Sequence, residues 1–195
     1  MRSCRSLWMI LAVILWAGGV VAAGAQPPGM QVAADPKGRF TISFPPGWKV
    51  LKPENNLPAV IGVAPDAPGG FHTNVNVVVE NLPREFSAKG FADLSEPALR
   101  TMFHAFTIVD QGPAKIAGRG AYYRYFTWEP NRGGVLYQVQ AYFAVGAKGF
   151  VLTGTTLNDD TRIHRDFTMI SRIFETFRPA SSRAPATSPL AGHPL

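Results

Sequence analysis

The chain has 195 residues, with 19 basic and 13 acidic side chains, a formal charge of +6 and a single cysteine, Cys4. That length fits one domain with a sizeable core and fits two poorly. The positive surplus falls short of a nucleic-acid footprint, and one thiol supports neither a disulfide nor a cysteine-ligated metal.

Arg2 and Arg5 precede an almost wholly apolar run over 7–21, and Ala23-Gly24-Ala25 offers small residues where a signal peptidase cuts. The pattern predicts a secretory signal peptide over 1–25, cleaved before Gln26. The rival is an uncleaved anchor, since the run to Ala25 approaches the roughly 18–20 residues that span a bilayer. Gln26-Pro27-Pro28-Gly29 cannot continue a helix, which favours cleavage. Cys4 lies before the apolar run, whereas lipid attachment needs a cysteine directly after it. Loss of residues 1–25 lowers the formal charge from +6 to +4 and removes the only cysteine. The expected location is periplasmic or secreted, with no stable membrane span after cleavage, and the exported chain must rely on its hydrophobic core.

Residues 26–38, with three prolines and two glycines, read as a linker. Phe40, Ile42 and Phe44 alternate with Thr41 and Ser43, Pro45-Pro46-Gly47 forces a turn, and Trp48 restarts the alternation with Val50. This predicts a first hairpin. A short strand follows over 58–64, then a stronger one, Asn74-Val75-Asn76-Val77-Val78-Val79-Glu80-Asn81. Val75, Val77 and Val79 share one face of it; Asn74, Asn76, Val78 and Glu80 share the other. Phe91, Leu94, Ala98, Met102 and Phe106 recur at helical spacing over 87–105; Pro97 suggests that the regular part starts near Glu96, with Ser95 as cap. Strand pattern returns over 107–117, broken at Gly112-Pro113, and continues over 121–128, 135–145 and 150–156, with turns at Gly118-Arg119-Gly120 and 146–149. Asp159 or Asp160 is expected to cap a final helix with Ile163, Phe167, Ile170, Phe174 and Phe177 as its stripe. Residues 179–195, rich in proline, serine and alanine, read as a disordered tail, leaving 39–178 as the folded domain.

Several strands carry apolar residues on both faces: Tyr122, Phe126 and Trp128 oppose Tyr123 and Tyr125. A sheet wet on one side alternates more cleanly, so helices are expected on each face. The fold expected is α+β, an α/β/α sandwich with a mainly antiparallel sheet of six or seven strands.

Three motifs in this order resemble the PsbP-like and DcrB-like superfamily of small exported proteins. They are Phe40-Thr41-Ile42-Ser43-Phe44-Pro45-Pro46-Gly47-Trp48, the strand from Asn74 to Asn81 with Leu82-Pro83, and Gln140-Ala141-Tyr142-Phe143 through Gly149-Phe150-Val151-Leu152-Thr153-Gly154-Thr155 with the closing helix. The resemblance implies a non-catalytic accessory or protein-binding domain of the bacterial envelope, with no cofactor and no shared catalytic motif to carry over.

The residues themselves assemble no reactive group. The four histidines, His72, His104, His164 and His193, form neither H-x-x-x-H nor H-E-x-x-H, so no metal site is assigned. Gly-x-Ser-x-Gly is absent, and the glycine patches read as hairpin turns, so no catalytic residue is assigned. A polar set stands out instead: Asn74, Asn76, Gln138 and Gln140 at alternate strand positions, joined by Arg124 if register permits. Amides held on a sheet can orient a ligand or partner. They serve equally well as solvated residues, or satisfied beneath a helix. The partner expected is another envelope protein, docked in a groove between helix and sheet or at the loop over 65–73. The alternative is a small-molecule or lipid carrier with a cavity lined by Tyr123, Tyr125 and Phe143; a hydrolase is the third possibility.

Overall fold

The structure is a computed structural model describing residues 29–55, 57–67, 70–131 and 133–180. The expected signal peptide, its cleavage site and residues 181–195 lie outside the described residues. Two sheets and two helices form the domain. The strands are β1 (Gln31–Ala34), β2 (Phe40–Phe44), β3 (Lys49–Leu51), β4 (Val60–Val63), β5 (Asn74–Asn81), β6 (Thr107–Ile116), β7 (Arg119–Trp128), β8 (Leu136–Val145), β9 (Lys148–Leu157) and β10 (Arg178–Pro179). The helices are α1 (Ala88–Met102) and α2 (Ile163–Glu175). Seven strands form one antiparallel sheet in the order β3-β4-β5-β9-β8-β7-β6, and three form a small antiparallel sheet, β1-β2-β10. This is the expected α+β class.

Each face of the large sheet is covered, as the two-sided apolar pattern requires. α1 packs on β7 and β8, with Phe91 and Ala92 buried near Val78, Tyr122, Tyr142 and Val151. α2 packs on β9 and β2 from the other side, with Ile170, Ile173 and Phe174 over Val139, Phe150 and Leu152. Phe40, Phe150 and Phe177 meet with centroids 5.4–6.3 Å apart. Two glycines permit the closest approaches: a Cβ on Gly154 would lie 2.3 Å from Ile170 Cγ2, and one on Gly62 would lie 2.1 Å from Phe44 Cε1. Gly154 thus seats α2 on β9, and Gly62 seats the small sheet on β4.

The local expectations need several corrections. β2 and β3 are separate strands of different sheets, not a hairpin. β1 and β10 occupy both edges of β2, and a turn closed by Trp48 N donating to Pro45 O hands the chain to the large sheet. β1 lies within the expected linker: its four residues have little pattern of their own but pair with Phe44 through Thr41. Arg178 and Pro179 pair with Thr41 and Phe40, so the ordered chain passes the start of the expected tail.

α1 starts earlier than Pro97 suggests. Ser87 caps it, its Oγ accepting from Gly90 N at 3.0 Å, and Pro97 lies inside the helix. β6 runs unbroken through Gly112-Pro113, because it is an edge strand where a missing N–H faces outwards. Neither aspartate caps α2: its first flanking residue is Arg162, and Asp159 instead accepts from Thr161 N and Oγ1 one turn earlier.

Candidate functional site

The register of β7, β8, β9 and β5 gathers the whole polar set on the α1 face of the large sheet. Arg124 stands opposite Gln140, Gln140 opposite Thr153, and Thr153 opposite Asn76. The next row runs Phe126, Gln138, Thr155, Asn74. Arg124 is 0% exposed. Its Nε donates to Gln111 Oε1 (2.9 Å), Nη1 to the Ala92 carbonyl (3.2 Å) and Nη2 to Glu96 Oε2 (2.9 Å). One guanidinium therefore ties β6, β7 and α1 together, with Glu96 on the helix as its counter-charge.

The glutamines are spent within the sheet. Gln140 Oε1 accepts from the Tyr142 hydroxyl, while Gln138 Oε1 accepts from Trp128 Nε1 (3.1 Å) and Thr155 Oγ1 (3.2 Å). Burial pushes the Tyr142 phenol far above its usual range against the opposing pull of Arg124, which keeps it a neutral donor. Asn76 is buried, and its Oδ1 has no hydrogen-bond partner among the described residues. Asn74, at the margin, donates from Nδ2 to the His72 carbonyl at 3.1 Å. On the same face of β5, burial raises the pKa of Glu80.

The α2 face holds two further polar groupings. Buried Asp166 Oδ2 accepts from Thr156 Oγ1 (2.6 Å), Thr73 Oγ1 (3.0 Å) and Arg162 Nη2 (3.3 Å), and Arg165 Nε reaches its Oδ1 at 3.1 Å. This pins the start of α2 to β9 and to the segment before β5. Further along, α2 and the β6–β7 hairpin leave a half-open cleft of about 290 Å³ lined by Asp110, Ala114, Ile116, Tyr123, Tyr125, Val139, Ser171, Phe174 and Glu175. The Tyr123 hydroxyl donates to Asp110 Oδ2 at 2.9 Å, and Glu175 Oε2 accepts from Ala117 N at 2.7 Å. Tyr125, Tyr137 and Phe167 extend the aromatic wall with centroids 5.0–6.0 Å apart. The hydrogen bond to Asp110 raises the Tyr123 pKa, and burial followed by the Asp110 charge raises that of Tyr125.

No family model matches the sequence. No curated protein sequence matches it either. Solved structures do. The cyanobacterial PsbP protein (CyanoP) of Synechocystis aligns with a TM-score of 0.59 at 12% identity, over 83% of this chain and 98% of its own. The chain has the PsbP-like fold. A Pseudomonas aeruginosa protein described as a putative regulator aligns with this chain at a TM-score of 0.53 and 13% identity, over 78% of this chain and 99% of the other. The Saccharomyces cerevisiae Ran-binding protein Mog1p aligns at 0.53 and 9% identity, over 77% and 95%. At such identities the likeness is one of fold.

Within this PsbP-like frame, sequence reasoning found the residues that share a face but not what they do there. Arg124, Gln138, Gln140 and Asn76 are buried and meet one another or their neighbours; Asn74 alone reaches the margin. Of the aromatics expected to line a cavity, Tyr123 and Tyr125 line the cleft, whereas Phe143 lies in the core with Phe177 at 5.3 Å. Sequence reasoning missed Asp110, Glu175 and Asp166. The break placed at Gly112-Pro113 hid the register that sets Asp110 opposite Tyr125. Among the described residues no three histidine, aspartate or glutamate side chains gather as metal ligands. His72 Nδ1 lies 2.8 Å from the Ala64 carbonyl, and exposed His104 lies 3.7 Å from Glu129.

Proposed function

We propose that this chain is an exported, non-enzymatic accessory protein of the bacterial envelope, and that it acts by binding another envelope protein. One observation carries the reading. The buried Arg124 guanidinium is committed to holding α1 on the sheet through Glu96 and the Ala92 carbonyl, and Gln138 and Gln140 are committed within the sheet, whereas the open cleft is walled by tyrosines and carboxylates suited to contact. The name of Mog1p supports it by analogy, since a protein of similar fold binds a protein partner. The amide set acts as framework in this reading, and a partner reaches it only at the Asn74 end. Export rests on the charged, apolar and small-residue segments of the first 25 residues. No helix among the described residues is long and apolar enough to cross a membrane.

The test is chemical cross-linking in intact cells that carry the full-length tagged chain, followed by mass spectrometry. A reproducible envelope partner cross-linked through the α2 face is expected, together with a mature N-terminus at Gln26. Recovery of no reproducible partner, or of an unprocessed chain in the cytoplasm, overturns the reading.

A further inference from the structure

β6 ends the large sheet with 10 residues and no strand on its outer side, whereas β3, at the other end, has 3. A long open edge is a template for a second extended chain, because every other residue turns its backbone N–H and C=O outwards unpaired. The register decides which residues these are. Ile116 faces Arg119 across a two-residue turn in which Ala117 and Gly118 both have positive φ, 53° and 74°. Such a turn is closed by a pair that exchanges both hydrogen bonds, and bonded pairs then recur at every second residue. Ala114 and Gly112 therefore bond to β7, while Lys115, Pro113 and Gln111, all exposed, present their backbone to the outside.

Two of these outward positions offer no donor. Pro113 has no N–H. The Gln111 N–H donates to Asp110 Oδ1 at 2.8 Å, and the Tyr123 hydroxyl holds the same carboxylate by donating to Oδ2 at 2.9 Å. Next to them, Val109 breaks the register between Ile108 and Asp110, and an extra residue of this kind bends a strand and disrupts its pairing. Among the described residues of this edge, Lys115 keeps a free outward N–H. Charge does not keep a second copy away. Two β6 strands paired about a two-fold axis at Pro113 would set Gln111 of each against Lys115 of the other, a neutral side chain against a cation. What such a pair lacks is donors. The prolines exchange no bond, the Gln111 N–H is taken, and the Lys115 N–H alone finds its acceptor.

We infer that β6 is a closed edge: Pro113 and the Asp110 carboxylate, steadied by Tyr123, keep a second copy of this chain from adding its own β6 to the sheet. The inference concerns self-pairing and stands independently of the partner-binding function proposed above.

The experiment compares the mature chain with Pro113→Val, Asp110→Ala and the double variant, by sedimentation equilibrium and by amide hydrogen exchange. Pro113→Val restores one outward donor and Asp110→Ala frees another. Each counts twice in a symmetric pair, so the double variant should self-associate at least about tenfold more tightly than the unaltered chain. Its amides at positions 111, 113 and 115 should gain protection as the concentration rises. Lys115→Val is the control, since it adds apolar surface at the same edge and no new donor. In the unaltered chain, after correction for intrinsic rates, the Gln111 amide should exchange more slowly than the Lys115 amide. Equal exchange at the two overturns the inference without any variant. A double variant that is folded by circular dichroism yet monomeric at about 1 mM overturns it too. So does association of Lys115→Val as tight as that of the double variant, or protection gained away from β6.

Discussion

Removing the Arg124 counter-charge tests whether α1 is held by a buried ion pair. Arg124 is 0% exposed and its side-chain partner Glu96 is 25% exposed, so the two members of the pair stand in different environments. Glu96→Gln leaves a guanidinium inside the fold that cannot shed its proton, with two neutral partners, Gln111 Oε1 and the Ala92 carbonyl. Breaking a buried pair from one side costs about 3–5 kcal/mol. The partial exposure of Glu96 lets water reach the site, which favours the lower end, about 3 kcal/mol. Arg124→Met removes the charge as well as the donors. It leaves Glu96 paired with Arg100 at the helix surface, and should cost less than Glu96→Gln. The double variant Arg124→Met, Glu96→Leu should recover most of the loss, because no charge then remains buried. Urea unfolding followed by circular dichroism reads all three. A loss below about 1 kcal/mol for Glu96→Gln, or strictly additive effects in the double variant, would refute the reasoning.

Three more perturbations follow from the packing and the ionisation. Gly154→Ala sets a methyl 2.3 Å from Ile170 Cγ2, so α2 must shift, at about 1–3 kcal/mol; Ile170→Ala in the same chain should relieve the clash, and thermal melts showing no coupling between the two would contradict it. Burial raises the Glu80 pKa above 4.5, so its ionised form opposes folding at neutral pH and the penalty vanishes as the pH falls through the folded value to 4.5. Glu80→Gln should therefore stabilise at pH 7 and make no difference below about pH 4.5, as melting curves across that window can check. Asp35 behaves oppositely: burial would raise its pKa, but the hydrogen bonds and charge of Arg39 outweigh it and hold the carboxyl below 3.8. Its stabilisation is present above pH 3.8 and lost as the pH falls through the lower folded value. Asp35→Asn should cost about 1–3 kcal/mol at neutral pH, and a deficit that persists undiminished at pH 2 would sink the assignment.

What the sequence disclosed depended on whether a residue's role is set by its neighbours in the chain. β5 and β8 showed their faces because Val75, Val77 and Val79, and then Val139, Ala141 and Phe143, alternate without interruption. The two-sided aromatics of β7 required a cover on each face, and α1 and α2 supply it. Proline misled in two places for one reason: it forbids a donor without forbidding the element. Pro97 sits inside α1, and Pro113 sits on an edge strand. β1 carries too weak a pattern to be seen without β2 beside it. Asp110 and Glu175 come to line one cleft only through the β6–β7 register and the docking of α2, so no local pattern could have joined them. Their tyrosine neighbours were visible as aromatics but also suited an interior role.

The small sheet has a consequence for how the chain comes together. β2 is flanked by β1, from just before it, and by β10, from the end of the described chain. A polypeptide delivered from its amino end exposes one edge of β2 until Arg178 and Pro179 emerge. The second edge of β2 is therefore filled by pairing across almost the whole described chain, whereas the first is filled by its nearest neighbour in sequence.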